Sequence, residues 1–258
     1  MAADVSGEAR IACLNHKGGV GKTTCAVNLA AGLAGAGARV LAVDVDPQAH
    51  LTASLGLAVP DGRGLAAVLD GGLPAGEALV GIDGLTVLPA SSALAVTEIA
   101  LSRRNTPPTL LRELLAGCGG FDVVLFDCPP HLGPLTRQAL GAARGVLVPM
   151  TPDYLALQSL AWLMETLGAT DGPAVRGIVL NRYSDRKRLH REVGSAVAGH
   201  FPGILFQTRI RENVALAEAP SHGRDIFRYA PGSAGAKDFA ALCREVAKRF
   251  GLAGRART

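Results

Sequence analysis

The strongest constraint on this chain lies near its start. There the apolar run Ile11-Ala12-Cys13-Leu14 gives way to His16-Lys17-Gly18-Gly19-Val20-Gly21-Lys22-Thr23-Thr24 and then to Ala26-Val27-Asn28-Leu29-Ala30-Ala31. A strand that runs into a glycine-rich turn and then a helix is the context of a phosphate-binding loop. Glycines let the backbone curl until successive N–H groups point at one anion, and the helix N-terminus adds its partial positive charge. In that arrangement Lys22 reaches the β- and γ-phosphates of a nucleotide, and the Thr23 hydroxyl holds Mg²⁺.

Two further apolar runs end in carboxylates. The segment Arg39-Val40-Leu41-Ala42-Val43-Asp44-Val45-Asp46-Pro47-Gln48 reads as a buried strand with Asp44 and Asp46 at its C-terminal end, and the run from Phe121 to Phe126 reads as another that ends at Asp127. In an open parallel sheet the strand C-termini line the ligand crevice, so these acids are expected to face the phosphates. A carboxylate opposite the loop threonine accepts hydrogen bonds from Mg²⁺-bound water, which is the Walker B arrangement. Hydrophobic periodicity and stop signals predict helices over 24–36, 64–70, 91–103, 153–167 and 236–250, with shorter strands over 85–89, 145–149 and 175–180. The sum is a single doubly wound α/β domain with a mainly parallel sheet flanked by helices.

Lys17 is an addition to the plain loop pattern. Lys17-Gly18-Gly19-Val20-Gly21-Lys22-Thr23-Thr24 resembles the deviant Walker A box of the ParA/MinD ATPases, a branch of the P-loop NTPases. Asp44-Val45-Asp46-Pro47-Gln48 and Asp127-Cys128-Pro129-Pro130 resemble that family's second and third motifs, and Glu218-Ala219-Pro220-Ser221-His222-Gly223 resembles the segment that marks its Soj branch. The likeness runs in order over residues 10–250. It implies ATP and Mg²⁺ as cofactors, bound by Lys17, Gly18, Gly19, Val20, Gly21, Lys22, Thr23 and Thr24, with Asn181 and Asn213 at the adenine. It implies that Lys17 crosses a dimer interface to the partner subunit's nucleotide, so that two ATP molecules are sandwiched in a homodimer. Lys17, Lys22 and Asp46 become the catalytic residues, Asp46 orienting or activating the attacking water, and Thr23, Asp44 and Asp127 surround Mg²⁺. In-line phosphoryl transfer needs positioning and charge compensation more than a strong base, so one well-placed carboxylate suffices. The resemblance further implies a weak ATPase stimulated by a ParB-type centromere-binding protein, a dimer that coats non-specific DNA in chromosome or plasmid partition, and a cytoplasmic, nucleoid-associated protein.

The DNA surface is less legible. In the segment 186–199, Leu189, Val193 and Val197 fall on one helical face, which places Lys187 and Arg191 together on the opposite one. Like charges at that spacing cost roughly 0.2–0.5 kcal/mol, and phosphate is a natural compensator, bound without base reading. Where the family has Pro-Arg-Asn this chain has Arg211-Glu212-Asn213, and where it often has Ser-Arg-Gly-Ala it has Ser233-Ala234-Gly235-Ala236. Positive charge relocated to Arg209, Arg211, Arg224, Arg228 and Lys237 is expected to complete the surface.

Composition narrows the alternatives. The 258 residues carry a formal charge of only +4, so any nucleic-acid surface is a local patch. The five cysteines (Cys13, Cys25, Cys118, Cys128 and Cys243) show no metal-site or disulfide spacing and read as packed thiols. No run reaches membrane-spanning length and no secretion signal opens the chain, so stable membrane insertion is not expected. Residues 1–9 and 251–258, the latter ending in Arg255-Ala256-Arg257-Thr258, are expected to be flexible flanks of one domain over 10–250. A MinD-like membrane-associated positioning ATPase is the alternative, because the face of Phe239, Leu242, Cys243, Val246 and Phe250 near the C-terminus also suits an amphipathic membrane helix. Core packing of that face is the preferred reading. A third class, a synthetase that uses ATP on a small acid, shares the loop but no visible substrate pocket.

Overall fold

The computed structural model describes residues 8–60, 62–170 and 172–252. Most of the two expected flanks, with Arg255 and Arg257, and the turn residue Asp61 lie outside the described residues.

In chain order the elements are β1 (Ala9–Cys13), α1 (Lys22–Gly35), β2 (Val40–Asp44), α2 (His50–Ser54), α3 (Leu65–Leu69), β3 (Val80–Ile82), β4 (Leu85–Leu88), α4 (Leu94–Arg103), α5 (Leu110–Leu115), β5 (Val123–Asp127), α6 (Pro134–Ala142), β6 (Gly145–Met150), α7 (Ala156–Gly168), β7 (Val175–Leu180), α8 (Arg188–His200), α9 (Val214–Glu218), α10 (Ile226–Tyr229) and α11 (Ala234–Arg249). The strands form one sheet in the order β3-β4-β2-β5-β1-β6-β7. Every pairing is parallel except β3 with β4, which closes one edge as an antiparallel turn-back. The predicted mainly parallel sheet is therefore present.

Register is what assembles the site. Cys13 and Asp44 both stand opposite Asp127, on either side of β5. The chain leaves β1, β2 and β5 at the same level, and the three following loops open into one crevice where the strand order changes direction. The buried strand residues are almost all apolar, as a sheet covered on both faces requires.

Alternation along the strands feeds two cores. Ala12 and Leu14 pack with α3 to α8 on one face, and Ile11 and Cys13 pack with α1 and α11 on the other. The stripe Phe239, Leu242, Cys243 and Val246 of α11 is buried in the second core. Docking on the domain thus consumes the apolar face that a lipid-seeking helix would need. Gly32 of α1 makes the approach possible, since a Cβ there would stand 2.5 Å from Cys243 Sγ and 2.9 Å from the Phe227 ring.

Several boundaries shift for local reasons. The helix expected from residue 24 begins at Lys22, because Gly21, in the left-handed region at φ 92°, turns the loop directly into the helix. The last helix starts at Ala234, where Ser233 Oγ accepts from Ala236 N at 3.1 Å as an N-cap. The short elements α2, β3, α5 and α6 lay below the length at which periodicity speaks.

Candidate nucleotide-binding site

The loop is held from both ends. At its start Asn15 Nδ2 donates to Pro149 O at 2.7 Å while Asn15 Oδ1 accepts from Lys17 N at 3.0 Å. Gly19 (φ 73°) and Gly21 (φ 92°) supply left-handed turns that side-chain-bearing residues rarely adopt. A Cβ on Gly21 would lie 2.1 Å from Asn181 Nδ2, so the amide at the end of β7 packs directly on the loop. That amide donates to Val20 O at 2.8 Å, and its oxygen accepts from Arg182 N at 2.9 Å. The residue expected at the adenine therefore braces the phosphate loop, with one backbone partner on each amide atom.

The two loop lysines have separate environments. Lys22 is buried and its Nζ donates to Lys17 O at 3.3 Å, across the curl of the loop. Burial lowers its pKa, while Asp127 and Asp46 push back in the other direction. Lys17 points out to the rim, where Nζ meets Asp153 Oδ2 at 2.6 Å with the side chains 39% and 37% exposed. Asp153 also accepts from Thr151 Oγ1 at 2.8 Å. Burial alone would raise the Asp153 pKa, but the hydrogen bonds from Lys17 and Thr151 hold it below the usual carboxylate range.

The three acids also differ. Asp127 is fully buried, and neither carboxylate oxygen makes a well-formed hydrogen bond, the Thr23 hydroxyl being its one weakly placed neighbour of that kind. Burial, then Asp44 and Asp46, drives its pKa well upward, with the Thr23 hydroxyl and Lys22 opposing. An unpaired buried charge of this kind costs several kcal/mol unless something compensates it, roughly 3–5 kcal/mol when a partner is stripped away. Hydrated Mg²⁺ is a fitting compensator: it takes hard oxygen ligands, keeps several waters and binds through one or two carboxylates plus substrate phosphates. Consistent with so sparse a protein contribution, no group of three or more metal-ligating side chains occurs among the described residues.

Asp44, expected in the same Mg²⁺ shell, is already occupied. Its Oδ2 accepts from Thr52 N at 2.9 Å and from Thr52 Oγ1 at 2.7 Å, and its Oδ1 accepts from Asp46 N at 3.3 Å. Burial raises its pKa to about 6 against these bonds. Thr52, which no motif singled out, ties α2 to both Asp44 and Ala90 N, the latter at 2.9 Å. Asp46 is buried at the crevice with Oδ1 accepting from Gln48 N at 2.9 Å.

Beside Thr23 and Thr24 opens a cleft of about 430 Å³ lined by Asn28, His50, Leu216, Pro220 and Arg224. The loop and the Glu218–Gly223 segment, distant in sequence, face each other across it. Asn213 is the N-cap of α9, its Oδ1 accepting from Ala215 N at 2.9 Å.

The expected basic surface is largely neutralised. Lys187 pairs with Glu212 at 3.5 Å, Arg209 with Asp185 at 3.7 Å, and Arg211 with Asp238 at 2.6 Å. Arg191 donates to Asp185 O, and Arg228 pairs with Asp83 and, at 3.6 Å, with Asp225. Glu212 and the Asp185 carbonyl thus provide the compensation that phosphate was expected to give Lys187 and Arg191. Leu189, expected on the inner face of α8, is 42% exposed, while Val193 and Val197 are buried. Of the seven expected cations, only Arg224 and Lys237 have no such partner among the described residues. The cysteines are free, and burial pushes the thiol pKa values of all five upward, as packed thiols require.

A curled loop that encloses one lysine and faces an orphaned aspartate is the site of a phosphate-binding-loop nucleotide-binding protein. Residues 8–172 match the family described as AAA domain. The chromosome-partitioning ATPase Soj of Thermus thermophilus is 44% identical over 249 residues, covering 93% of this chain and 96% of that protein. The chain belongs to the Soj/ParA family of chromosome-partitioning ATPases. Among solved structures, cobyrinic acid a,c-diamide synthase from Mycobacterium smegmatis with a bound ATP analogue and magnesium aligns at TM-score 0.81 and 32% identity, over 96% of this chain and 98% of that one. The septum site-determining protein MinD of Pyrococcus horikoshii, complexed with Mg-ADP, aligns at TM-score 0.79 and 26% identity, over 97% and 99%.

Proposed function

We propose that this protein is a Mg²⁺-dependent ATPase switch for DNA segregation. ATP draws two copies into a sandwich, the dimer binds duplex DNA without reading its sequence, and a ParB-type centromere-binding partner stimulates an otherwise weak hydrolysis that resets it. The carrying observation is the divergence of the two lysines: Lys22 lies inside its own loop, whereas Lys17 reaches away from it to the rim. A lysine so placed can serve the phosphates of a second subunit.

Within one subunit the N–H groups from Gly18 to Thr24 and the Lys22 ammonium bind the phosphates. Thr23 and Asp127 would hold Mg²⁺, which would supply charge compensation for the bound phosphates. Asp46 orients the attacking water, and Asp44 positions it by holding the Asp46 backbone and Thr52. Asn181 keeps the loop in shape. For DNA, the exposed cations Arg182, Arg186, Arg224 and Lys237, which have no ion pair among the described residues, take phosphates by counterion release. They replace the paired residues Arg209, Arg211 and Arg228 in that role.

The test is the size of the Asp46→Ala protein at saturating ATP by light scattering, followed by addition of random duplex. A dimer that retards duplex at low salt and releases it steeply as salt rises is expected, and Lys17→Ala should bind nucleotide yet stay monomeric. A monomer would refute the sandwich. ATP-dependent sedimentation with vesicles instead of DNA would favour the MinD-like alternative, and product formation with no macromolecule present would favour a synthetase.

A further inference from the structure

Helices α1 and α11 touch where Gly32 meets Cys243, and beside that contact the fold leaves a cavity of about 610 Å³. It shares no lining residue with the cleft beside Thr23 and Thr24. Close-packed interiors hold few voids larger than a water molecule, and concave apolar spaces of about 300–1,000 Å³ are the size that takes small ligands. The walls are built from short side chains, Gly35 and Ala36 on α1 and Ala240 and Ala247 on α11, with Leu55 and Phe227 beside them. The Cys243 thiol, which burial pushes up to about 12, adds to the apolar lining rather than to its charge.

Four charged residues line the cavity, and three of them are spent on one another. The Asp83-Gly84 turn that joins β3 to β4 has both residues in the left-handed region, at φ 55° and 81°, as a tight hairpin requires. Arg228 donates to Asp83 O at 2.7 Å and pairs with its carboxylate, and it reaches Asp225 at 3.6 Å. Asp225 is further engaged as the N-cap of α10, accepting from Phe227 N at 2.8 Å and Arg228 N at 3.2 Å. Arg244 is the exception. It is exposed, has no ion pair among the described residues, and its helical neighbour four residues on is another cation, Lys248. An incoming cation therefore finds both acids engaged, whereas an anion finds one open guanidinium beside an apolar space. We propose that this cavity binds an amphipathic monoanion, a medium-chain acyl carboxylate, with its chain between α1 and α11 and its carboxylate on Arg244. The site is independent of the switch described above, and the buried chain joins the helix that carries the phosphate loop to α11.

The test uses the full-length protein without nucleotide and the fluorescent probe 1-anilinonaphthalene-8-sulfonate, an apolar body with one anionic head. One probe per chain is expected, displaced by monomeric dodecanoate with a Kd of about 10 µM. Dodecyltrimethylammonium, with the same chain and a cationic head, should not displace it. Arg244→Glu should weaken dodecanoate about tenfold, while Arg244→Lys stays within about threefold of the native protein. Gly35→Leu should abolish binding, because Gly35 lines the cavity and a Cβ there meets nothing within 4 Å, so the larger side chain fills the space without a clash. Should that variant lose its melting transition, Ala240→Leu on the opposite wall answers the same question. Binding that survives the filling substitutions overturns the inference, and so does equal competition by the cationic detergent. Displacement of the probe by Mg-ATP places it in the nucleotide crevice and overturns the inference too. Arg244-dependent sedimentation with phosphatidylglycerol vesicles, without displacement by free dodecanoate, assigns the surface to lipid bilayers and overturns it as well.

Discussion

The crevice and the basic surface handle charge in opposite ways. In the crevice, Asp127 is fully buried with neither oxygen in a well-formed hydrogen bond, and burial, more than any neighbouring group, pushes its pKa up. On the surface over residues 185–238, several of the exposed cations are matched by carboxylates, as Arg211 is by Asp238 and Lys187 by Glu212. A fold that leaves a buried acid unsatisfied while pairing several of its solvent-facing bases has kept the expensive group for a ligand. The paired bases stabilise the domain slightly and are poorly placed to meet a polyanion, since each must first give up its partner.

The contrast can be broken at four points. The largest effect is expected from Lys22→Ala, which removes the buried cation facing Asp127 and Asp46. Nucleotide affinity by calorimetry should fall about a hundredfold or more, in line with the loss of one preorganised donor to a charged oxygen. Unchanged affinity would mean that the loop lysine does not face phosphate.

Asp127→Asn should act with opposite signs on stability and function. Removing an uncompensated buried charge is expected to stabilise the nucleotide-free protein by about 1–3 kcal/mol, while the gain in melting temperature from Mg-ATP disappears. A lower melting temperature in the absence of ligand would show that the carboxylate has a partner in solution.

On the surface, Arg182→Ala combined with Arg186→Ala should lower DNA affinity and reduce the salt slope by about 2, one for each phosphate no longer neutralised. Arg211→Ala should leave that slope alone and instead cost about 1 kcal/mol of stability through Asp238. The reverse ranking would restore the paired cations as the DNA surface. The smallest effect belongs to Asp153→Asn. With both side chains of its pair more than a third exposed, the change in stability should stay below about 0.5 kcal/mol in a denaturant titration.

What the sequence disclosed and what it withheld follow from how local each feature is. The phosphate loop, the strand that precedes it and the acids at two strand ends are contiguous patterns whose chemistry admits few alternatives, and each stands where it was expected. The separate environments of Asp44 and Asp127 were not legible. They depend on Thr52, eight residues downstream and delivered by a five-residue helix with no periodic signal. The ion-pair partners of the basic surface were not legible for the same reason, because Arg211 finds Asp238 across 27 residues and Arg228 finds Asp83 across 145. Asn181 was located correctly at the end of a strand, but its grip on Val20, 161 residues away, belongs to the folded sheet.

The close seat of Gly32 against Cys243 and Phe227 has a consequence for how the molecule comes into being. The helix that carries the phosphate loop has its outer side completed by α11, with 215 residues between Asn28 of the one and Cys243 of the other. A nascent chain that lacks α11 has the full loop sequence and no finished wall behind it. Competence to hold a nucleotide therefore waits on α11, and chains cut short before Ala234 should emerge with a loop that binds nucleotide poorly.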